Sequence, residues 1–301
     1  MKILLFGCNG QVGWELQRAL EVLGELVAVD LDSKNVAADF TQPAALADTV
    51  RAMRPDVIVN AAAHTAVDKA ESEPALARTI NAEAPGVLAR EAAASHAWLV
   101  HYSTDYVFDG SGVLPWREDD PTGPLNVYGH TKLEGEELVR ASGCRHLIFR
   151  TSWVYSARGA NFARTMLKLG ADRDHMTVVD DQFGAPTSAE LLADVTAHAV
   201  RAVARGGAPG GTYHAVAAGE TSWHGYACEV LDWARTHGLL VRVPRDGVIA
   251  VRSNAYPTAA MRPHNSRLNT QKLKQTFGLT MPHWRSGVIR MLAEAYGFLG
   301  R

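Results

Sequence analysis

Phe6 closes a short apolar run, Lys2–Phe6, and the next seven residues are Gly7-Cys8-Asn9-Gly10-Gln11-Val12-Gly13, a GxxGxxG turn. Glycine here permits a sharp turn, lets the backbone approach a pyrophosphate, and packs a helix closely onto a strand. Apolar spacing through Val12, Leu16, Leu20 and Leu23 predicts a helix over Gln11–Leu23. Its N-terminus would offer unpaired N–H groups and a positive dipole end to phosphates. A glycine triplet alone is a weak signal. Its place between a strand and a helix is the context that dinucleotide binding demands.

A second strand, Leu26–Asp30, ends in a carboxylate placed to accept hydrogen bonds from an adenosine ribose. Asp30 favours NADH, because a 2′-phosphate would sit badly beside it. Ser33 and Lys34 follow closely and could receive that phosphate, so NADPH stays equally open.

Strand-like and helix-like segments go on alternating: a helix at Pro43–Met53, a strand at Val57–Asn60, a helix at Ala75–Ala94, a strand at Trp98–Tyr102, a helix at Asn126–Ala141 and a strand at His146–Arg150. This rhythm predicts an α/β fold, a Rossmann-type doubly wound parallel sheet whose strands are buried on both faces. After about Thr151 the rhythm loosens. Helical patterns remain at Asn161–Leu169, Ala189–Val203, Trp223–Thr236 and Trp284–Phe298, with a surface turn at Gly206–Gly211 and a long irregular stretch from Val243 to Leu268. Residues 1–155 are expected to bind the dinucleotide, with 186–216 returning to that domain. Residues 156–301 should form mainly a smaller substrate domain, since long irregular loops often bind ligands.

Composition narrows the function classes. The chain has 301 residues and a net charge of −2, which gives no electrostatic case for nucleic acid or an anionic membrane. No apolar run approaches the ~20 residues of a membrane helix, and MKILLFGCNG reads as a strand rather than a signal peptide. The three cysteines, Cys8, Cys144 and Cys228, match neither a disulfide framework nor a zinc pattern. Reduced thiols in a cytoplasmic protein are expected. The histidines show no ligand spacing, so no catalytic metal is assigned.

Tyr128-Gly129-His130-Thr131-Lys132 falls on a predicted helix, where residues four apart share a face. A free phenol, with a pKa of ~10, is a poor acid at neutral pH. A lysine cation nearby should lower that value towards the operating range, and can also hold ribose hydroxyls. The fourth strand ends in His101-Tyr102-Ser103-Thr104-Asp105-Tyr106, where ligands meet an open α/β sheet. Thr104 could bond the reacting oxygen beside Tyr128. Ser103 is its rival, and strand alternation lets only one of them face inward.

The segments LLFGCNGQVGWEL, RPDVIVNAAAHTAVDKAESEP, VHYSTDYVFDG, PLNVYGHTKLEGE, FRTSWVY, DDQFGAPT and RPHNSRLNT together resemble the extended short-chain dehydrogenase/reductases, and within them the dTDP-sugar reductases, essentially end to end. The resemblance implies reduction of dTDP-4-dehydro-6-deoxy-L-mannose to dTDP-L-rhamnose, with hydride delivered to C4, Tyr128 donating a proton, Lys132 tuning it and binding ribose, and Thr104 polarising the keto oxygen. It places cofactor contacts on Gly7, Gly10, Gln11, Val12, Gly13, Asp30, the Asp39-Phe40 pair beside adenine, and Ala63-His64-Thr65. Sugar contacts fall on Thr104, Asp105, Tyr128 and Trp153. Cys8 is the one unusual position in the turn, and the backbone makes the contacts there.

Weaker expectations complete the site. Arg262, Asn265 and Arg267 carry groups that could bind a diphosphate, against the alternative of surface charge. Gln182-Phe183 could meet the thymine, although Phe183 suits a core equally. Some relatives share Mg2+ between subunits through glutamates; Glu15, Glu190 and Glu294 stand at compatible positions, as would ordinary helix-surface charge, and a homodimer goes with that arrangement. A dehydratase needs Asp-Glu after the strand-end threonine, whereas Asp105 here precedes Tyr106. An epimerase of the same superfamily and a non-catalytic dinucleotide-binding subunit, like the regulatory subunit of methionine adenosyltransferase, are the other readings. The intact Tyr128–Lys132 pair argues against the latter.

Overall fold

The structure, a computed structural model, describes residues 1–297. Its first half runs β1 Lys2–Phe6, α1 Gln11–Glu21, β2 Glu25–Val29, α2 Pro43–Met53, β3 Val57–Asn60, α3 Val67–Ser72, α4 Pro74–Arg78, α5 Ala84–Ser95, β4 Trp98–Thr104, α6 Val127–Ala141 and β5 Arg145–Thr151. The second half runs β6 Val154–Tyr155, α7 Phe162–Asp172, β7 Met176–Val179, β8 Phe183–Gly184, β9 Thr187–Ser188, α8 Ala189–Ala204, β10 Gly211–His214, β11 Thr221–Ser222, α9 Trp223–Thr236, β12 Val248–Val251, α10 Gln271–Phe277 and α11 Trp284–Ala295. The expected last helix reached Phe298, which lies outside the described residues, as does the end of the 156–301 segment.

A six-stranded sheet, wholly parallel, has the order β10-β5-β4-β3-β1-β2. Alternation along β1 shows why its residues are all apolar. Ile3 and Leu5 pack on one face with Leu16 and Leu20 of α1 and Leu192 and Val200 of α8. Leu4 and Phe6 pack on the other with Leu46 and Val50 of α2 and Leu88 of α5. Covering both faces with helices is the doubly wound arrangement. The chain leaves β1 for β2 on one side and returns for β3 on the other, so a crevice opens above the β1/β3 switch point. A third apolar cluster ties α7, α9 and α11 together through Met166, Tyr226, Leu231, Trp284 and Val288. Among the described residues, no helix is long and apolar enough to cross a membrane, and Cys8, Cys144 and Cys228 are all free.

Two departures from the sequence reading have local causes. The helix expected over Ala75–Ala94 is interrupted by a π-helical turn, Thr79–Glu83. Pro85 has no N–H to give the Asn81 carbonyl one turn back, and its ring crowds that carbonyl, so the ladder widens there. Within the stretch read as irregular, β12 pairs in parallel with β7. Gly247 and Pro244 hid the β-branched run that follows them.

Candidate functional site

Side chains converge at the carboxyl ends of β1, β3, β4 and β5, around a cavity of ≈ 480 Å³. Its lining includes Gly10, Gln11 and Val12 after β1, Ala63 and Thr65 after β3, Thr104 and Asp105 at the end of β4, Tyr128 and Lys132 on α6, and Trp153 after β5. The glycines make this approach possible. A Cβ on Gly13 would lie 1.9 Å from the Gly7 carbonyl oxygen, and one on Gly7 would lie 2.6 Å from Ala62 N. Gly7 also has φ +80°, which a side chain would strain. The amide oxygen of Gln11 is buried there without a partner. Close-packed glycines, an open helix end and an orphaned acceptor facing the cavity fit a dinucleotide.

Asn126 begins α6 by accepting from Gly129 N at 2.8 Å, so Tyr128 and Lys132 sit on the first turns with their shared face inward. Thr104 lines the same cavity as the Tyr128 phenol, and its hydroxyl donates to Asp105 Oδ1 at 3.1 Å. Ser103, one residue earlier, points the other way, towards Glu136. Strand alternation has therefore put Thr104 beside Tyr128 and Ser103 behind it.

The expected tuning of Tyr128 by Lys132 is not what this arrangement holds. Burial pushes the phenol up to about 12; Thr104 opposes that rise, and Asp105 adds to it. Lys132 turns its ammonium to the Tyr102 carbonyl oxygen at 2.5 Å and lies 3.4 Å from His101 Nε2. Burial lowers Lys132 to about 8, while Glu136, one turn along α6, holds it up. Desolvation outweighs the charge pairing because the lysine's partner is a backbone carbonyl and not the phenol.

Sequence reasoning missed the network behind this pair. Glu136, fully buried, accepts from Arg150 Nε at 2.9 Å and Nη2 at 2.7 Å, and from Arg140 at 2.9 Å. The four-residue spacing of Tyr128, Lys132, Glu136 and Arg140 was the available signal. Asn81, displaced inward by the π-helical turn, grips His64 through both its backbone N–H (2.9 Å) and carbonyl (3.1 Å). Nothing in the sequence marks that role.

The remaining candidates divide between two places. Asp30 accepts from Asn9 N at 2.7 Å and Leu31 N at 2.8 Å, so its carboxylate shapes the glycine turn itself. Asp39 caps Thr41 at 2.8 Å, and Phe40 is buried edge-on against Phe6. Trp153, in the left-handed region at φ +50°, stacks on Trp223 at 3.7 Å between ring centroids. Trp223 was not foreseen, yet it also lines a neighbouring cavity of ≈ 620 Å³ that takes in Gln182 and Arg262. Gln182 accepts from Trp223 Nε1 at 3.1 Å and donates to Ser253 at 2.9 Å. Arg262 pairs with Asp68 at 2.5 Å.

Asn265 departs from the expected ligand role. It is buried, donates to the carbonyls of Ser111 and Leu114, and accepts from Arg267, so its amide is spent on holding a loop. Arg267 pairs with Glu220 and lies over Phe183, 4.5 Å from the ring centre, so neither reaches open space freely. The metal expectation is not supported. Glu190 and Glu294 stand close enough to Glu15 to reinforce the rise that burial gives its pKa, but Glu190 is paired with Arg290, and among the described residues no cluster of three ligating side chains could hold a metal ion.

The chain matches the family model described as the RmlD substrate binding domain over residues 1–296. It is 56% identical over 296 residues to a dTDP-4-dehydrorhamnose reductase of Shigella flexneri, covering 98% of each chain. Among solved structures it is similar to a dTDP-4-dehydrorhamnose reductase of Clostridium acetobutylicum, with a TM-score of 0.88, 36% identity, and 98% and 99% of the two chains covered. A Bacillus anthracis dTDP-4-dehydrorhamnose reductase in complex with NADP aligns with a TM-score of 0.87 and 33% identity, covering 97% and 99%.

Proposed function

The chain belongs to the RmlD substrate binding domain family of dTDP-4-dehydrorhamnose reductases, and from that premise we propose that it reduces the C4 keto group of dTDP-4-dehydro-6-deoxy-L-mannose, giving dTDP-L-rhamnose for cell-surface polysaccharide. It is an NAD(P)H-dependent oxidoreductase. One observation carries the reading most: a phenol, a threonine hydroxyl and a buried ammonium meet in the cavity that the glycine turn bounds.

A reduced nicotinamide dinucleotide supplies the hydride when bound. Gly7, Gly10, Gln11, Val12 and Gly13 would hold its pyrophosphate, Asp30 its ribose, Asp39-Phe40 its adenine, and Ala63-His64-Thr65 the passage between. Tyr128 gives its proton to the C4 oxygen as negative charge develops there, and Thr104 sets its hydroxyl beside the same oxygen. Lys132 stays cationic near neutral pH and reaches the ribose hydroxyls. Trp153 closes the sugar side, with Asp105 beneath it. The ≈ 620 Å³ cavity next door, with Gln182 and Arg262, suits the nucleotide half of the substrate. Asn265 supports that half by shaping the loop.

Residues 1–155 with 186–216 thus serve the cofactor, and the rest mainly the substrate. A cytoplasmic homodimer is part of the same proposal, and sedimentation of the purified protein tests its oligomeric half. The dehydratase alternative finds no second acid, because Tyr106 packs edge-on against Tyr128 at 5.5 Å where a glutamate would be needed. The deciding assay mixes protein, NADH or NADPH and freshly made dTDP-4-dehydro-L-rhamnose. Loss of nicotinamide absorbance together with dTDP-L-rhamnose is expected, and oxidation-free incubation would refute the reading.

A further inference from the structure

One wall of the ≈ 620 Å³ cavity beside the reacting centre comes from a single segment, through Tyr256, Thr258, Met261 and Arg262. Residues 256–262 belong to no helix or strand, so side chains from elsewhere must place them. Asp68, near the start of α3, does this from the cofactor half. Its Oδ1 accepts from Ala260 N at 3.0 Å, and its Oδ2 accepts from Arg262 Nη2 at 2.5 Å. An aspartate in a helix's first turn ordinarily serves the free N–H groups of that helix. Asp68 instead turns both oxygens to a segment 192 and 194 residues away. Asn126 holds the same wall from the catalytic helix: its Nδ2 donates to the Met261 carbonyl at 2.7 Å, while its Oδ1 caps α6. Arg262 thus has Nη2 committed to Asp68, whereas Nη1 is buried without a partner and the side chain lines the cavity. The side chains of the pair are 48% exposed at Asp68 and 21% at Arg262, and ion pairs this open to water contribute little to stability. The consequence of the pair is geometric: it fixes which way the guanidinium faces.

Resting on the reductase reading, we propose that Asp68 is a positioning residue for the substrate, which places the 256–262 wall and aims Arg262 at the diphosphate of the dTDP-sugar. A guanidinium binds phosphate oxygens through N–H groups fixed in one plane, so its orientation decides its affinity. With Nη2 held, Nη1 is left as a donor for a phosphate oxygen. Asp68 lines neither this cavity nor the one that holds Tyr128, so its effect falls on binding and not on the transfers at C4. The carboxylate's own charge works against the diphosphate. Water and salt screen a half-exposed charge, and the orientation it imposes outweighs the repulsion.

The test takes the intact protein with saturating NADP+ and titrates two probes, dTDP and thymidine, by calorimetry. Asp68→Asn keeps the size but takes away the charged acceptor of Arg262. Its dTDP affinity should fall about tenfold, the scale of one charge-assisted hydrogen bond. Thymidine, which has no diphosphate, should bind as it does to the native protein. In turnover the KM for dTDP-4-dehydro-L-rhamnose should rise by the same factor, with kcat and the KM for NADPH within about twofold of native. Asp68→Glu, which retains a carboxylate, should recover most of the dTDP affinity, and Asp68→Asn should cost nothing further in an Arg262→Met background. Three results overturn the proposal: dTDP affinity that is unchanged or tighter, equal losses for dTDP and thymidine, or a fall in kcat at unchanged KM. A native protein that binds dTDP but turns over no keto-sugar would defeat the reductase reading instead, and the dTDP titration still decides the role of Asp68.

Discussion

Removing the charge from Glu136 should be among the most costly single-atom changes in the molecule. The side chains of Glu136 and Arg150 are 0% and 4% exposed, and two hydrogen bonds join them. Glu136→Gln keeps the volume but leaves a guanidinium buried without its counter-charge. Breaking a buried pair in this way costs about 3–5 kcal/mol, a large share of the roughly 5–15 kcal/mol that stabilises a domain. Replacing both partners, as Glu136→Gln with Arg150→Met, should recover most of that, because the desolvated charge is gone as well. Urea unfolding measures it, as a lower midpoint at unchanged m-value. Arg150 holds the Glu136 carboxyl below its ordinary range, against the opposing effect of burial. Its contribution is present above the unfolded value of ~4.3 and is lost as pH falls through the folded one. Glu136 also raises Lys132, so the variant's alkaline loss of activity should begin at lower pH. A destabilisation under about 1 kcal/mol, or an unmoved alkaline limb, would refute this account of the pair.

Three further changes probe the site directly. Tyr128→Phe should bind cofactor normally, by fluorescence titration, and lose ~10²–10⁴-fold in turnover; unchanged turnover removes the phenol from the chemistry. Asp30→Ala should weaken NADH more than NADPH, and equal losses in the two dissociation constants would show that Asp30 acts only through Asn9 N. Gly13→Ala drives a Cβ to 1.9 Å from the Gly7 carbonyl, so the turn must open; overpacking should cost about 1–3 kcal/mol, and native cofactor affinity in this variant would contradict the close-packed cradle.

The sheet was legible because each strand carries its own evidence. Ile3 through Phe6 are apolar without interruption, which only a strand covered on both faces requires. The helix over Ala75–Ala94 was misread for an equally local reason that composition masks: alanine favours a helix throughout, and one proline redirects the ladder at Asn81. At the site, residues on a single element could be related by their spacing, as Tyr128 and Lys132 were. Relations across elements could not. Nothing in the sequence says that the Asn265 amide closes on Ser111 and Leu114, about 150 residues earlier in the chain, or that Trp223 stacks on Trp153.

The sign of a pKa shift belongs with those unreadable relations, and the catalytic pair illustrates why. Spacing placed an ammonium one turn from a phenol, and proximity of charge argues for a lowered phenol pKa. Burial is the opposing effect, and its size depends on every element that covers the pair. In this structure it wins on both partners, raising Tyr128 to about 12 and lowering Lys132 to about 8. A phenol held that high is a reluctant base but a secure proton carrier, which suits a step that delivers a proton to a forming alkoxide.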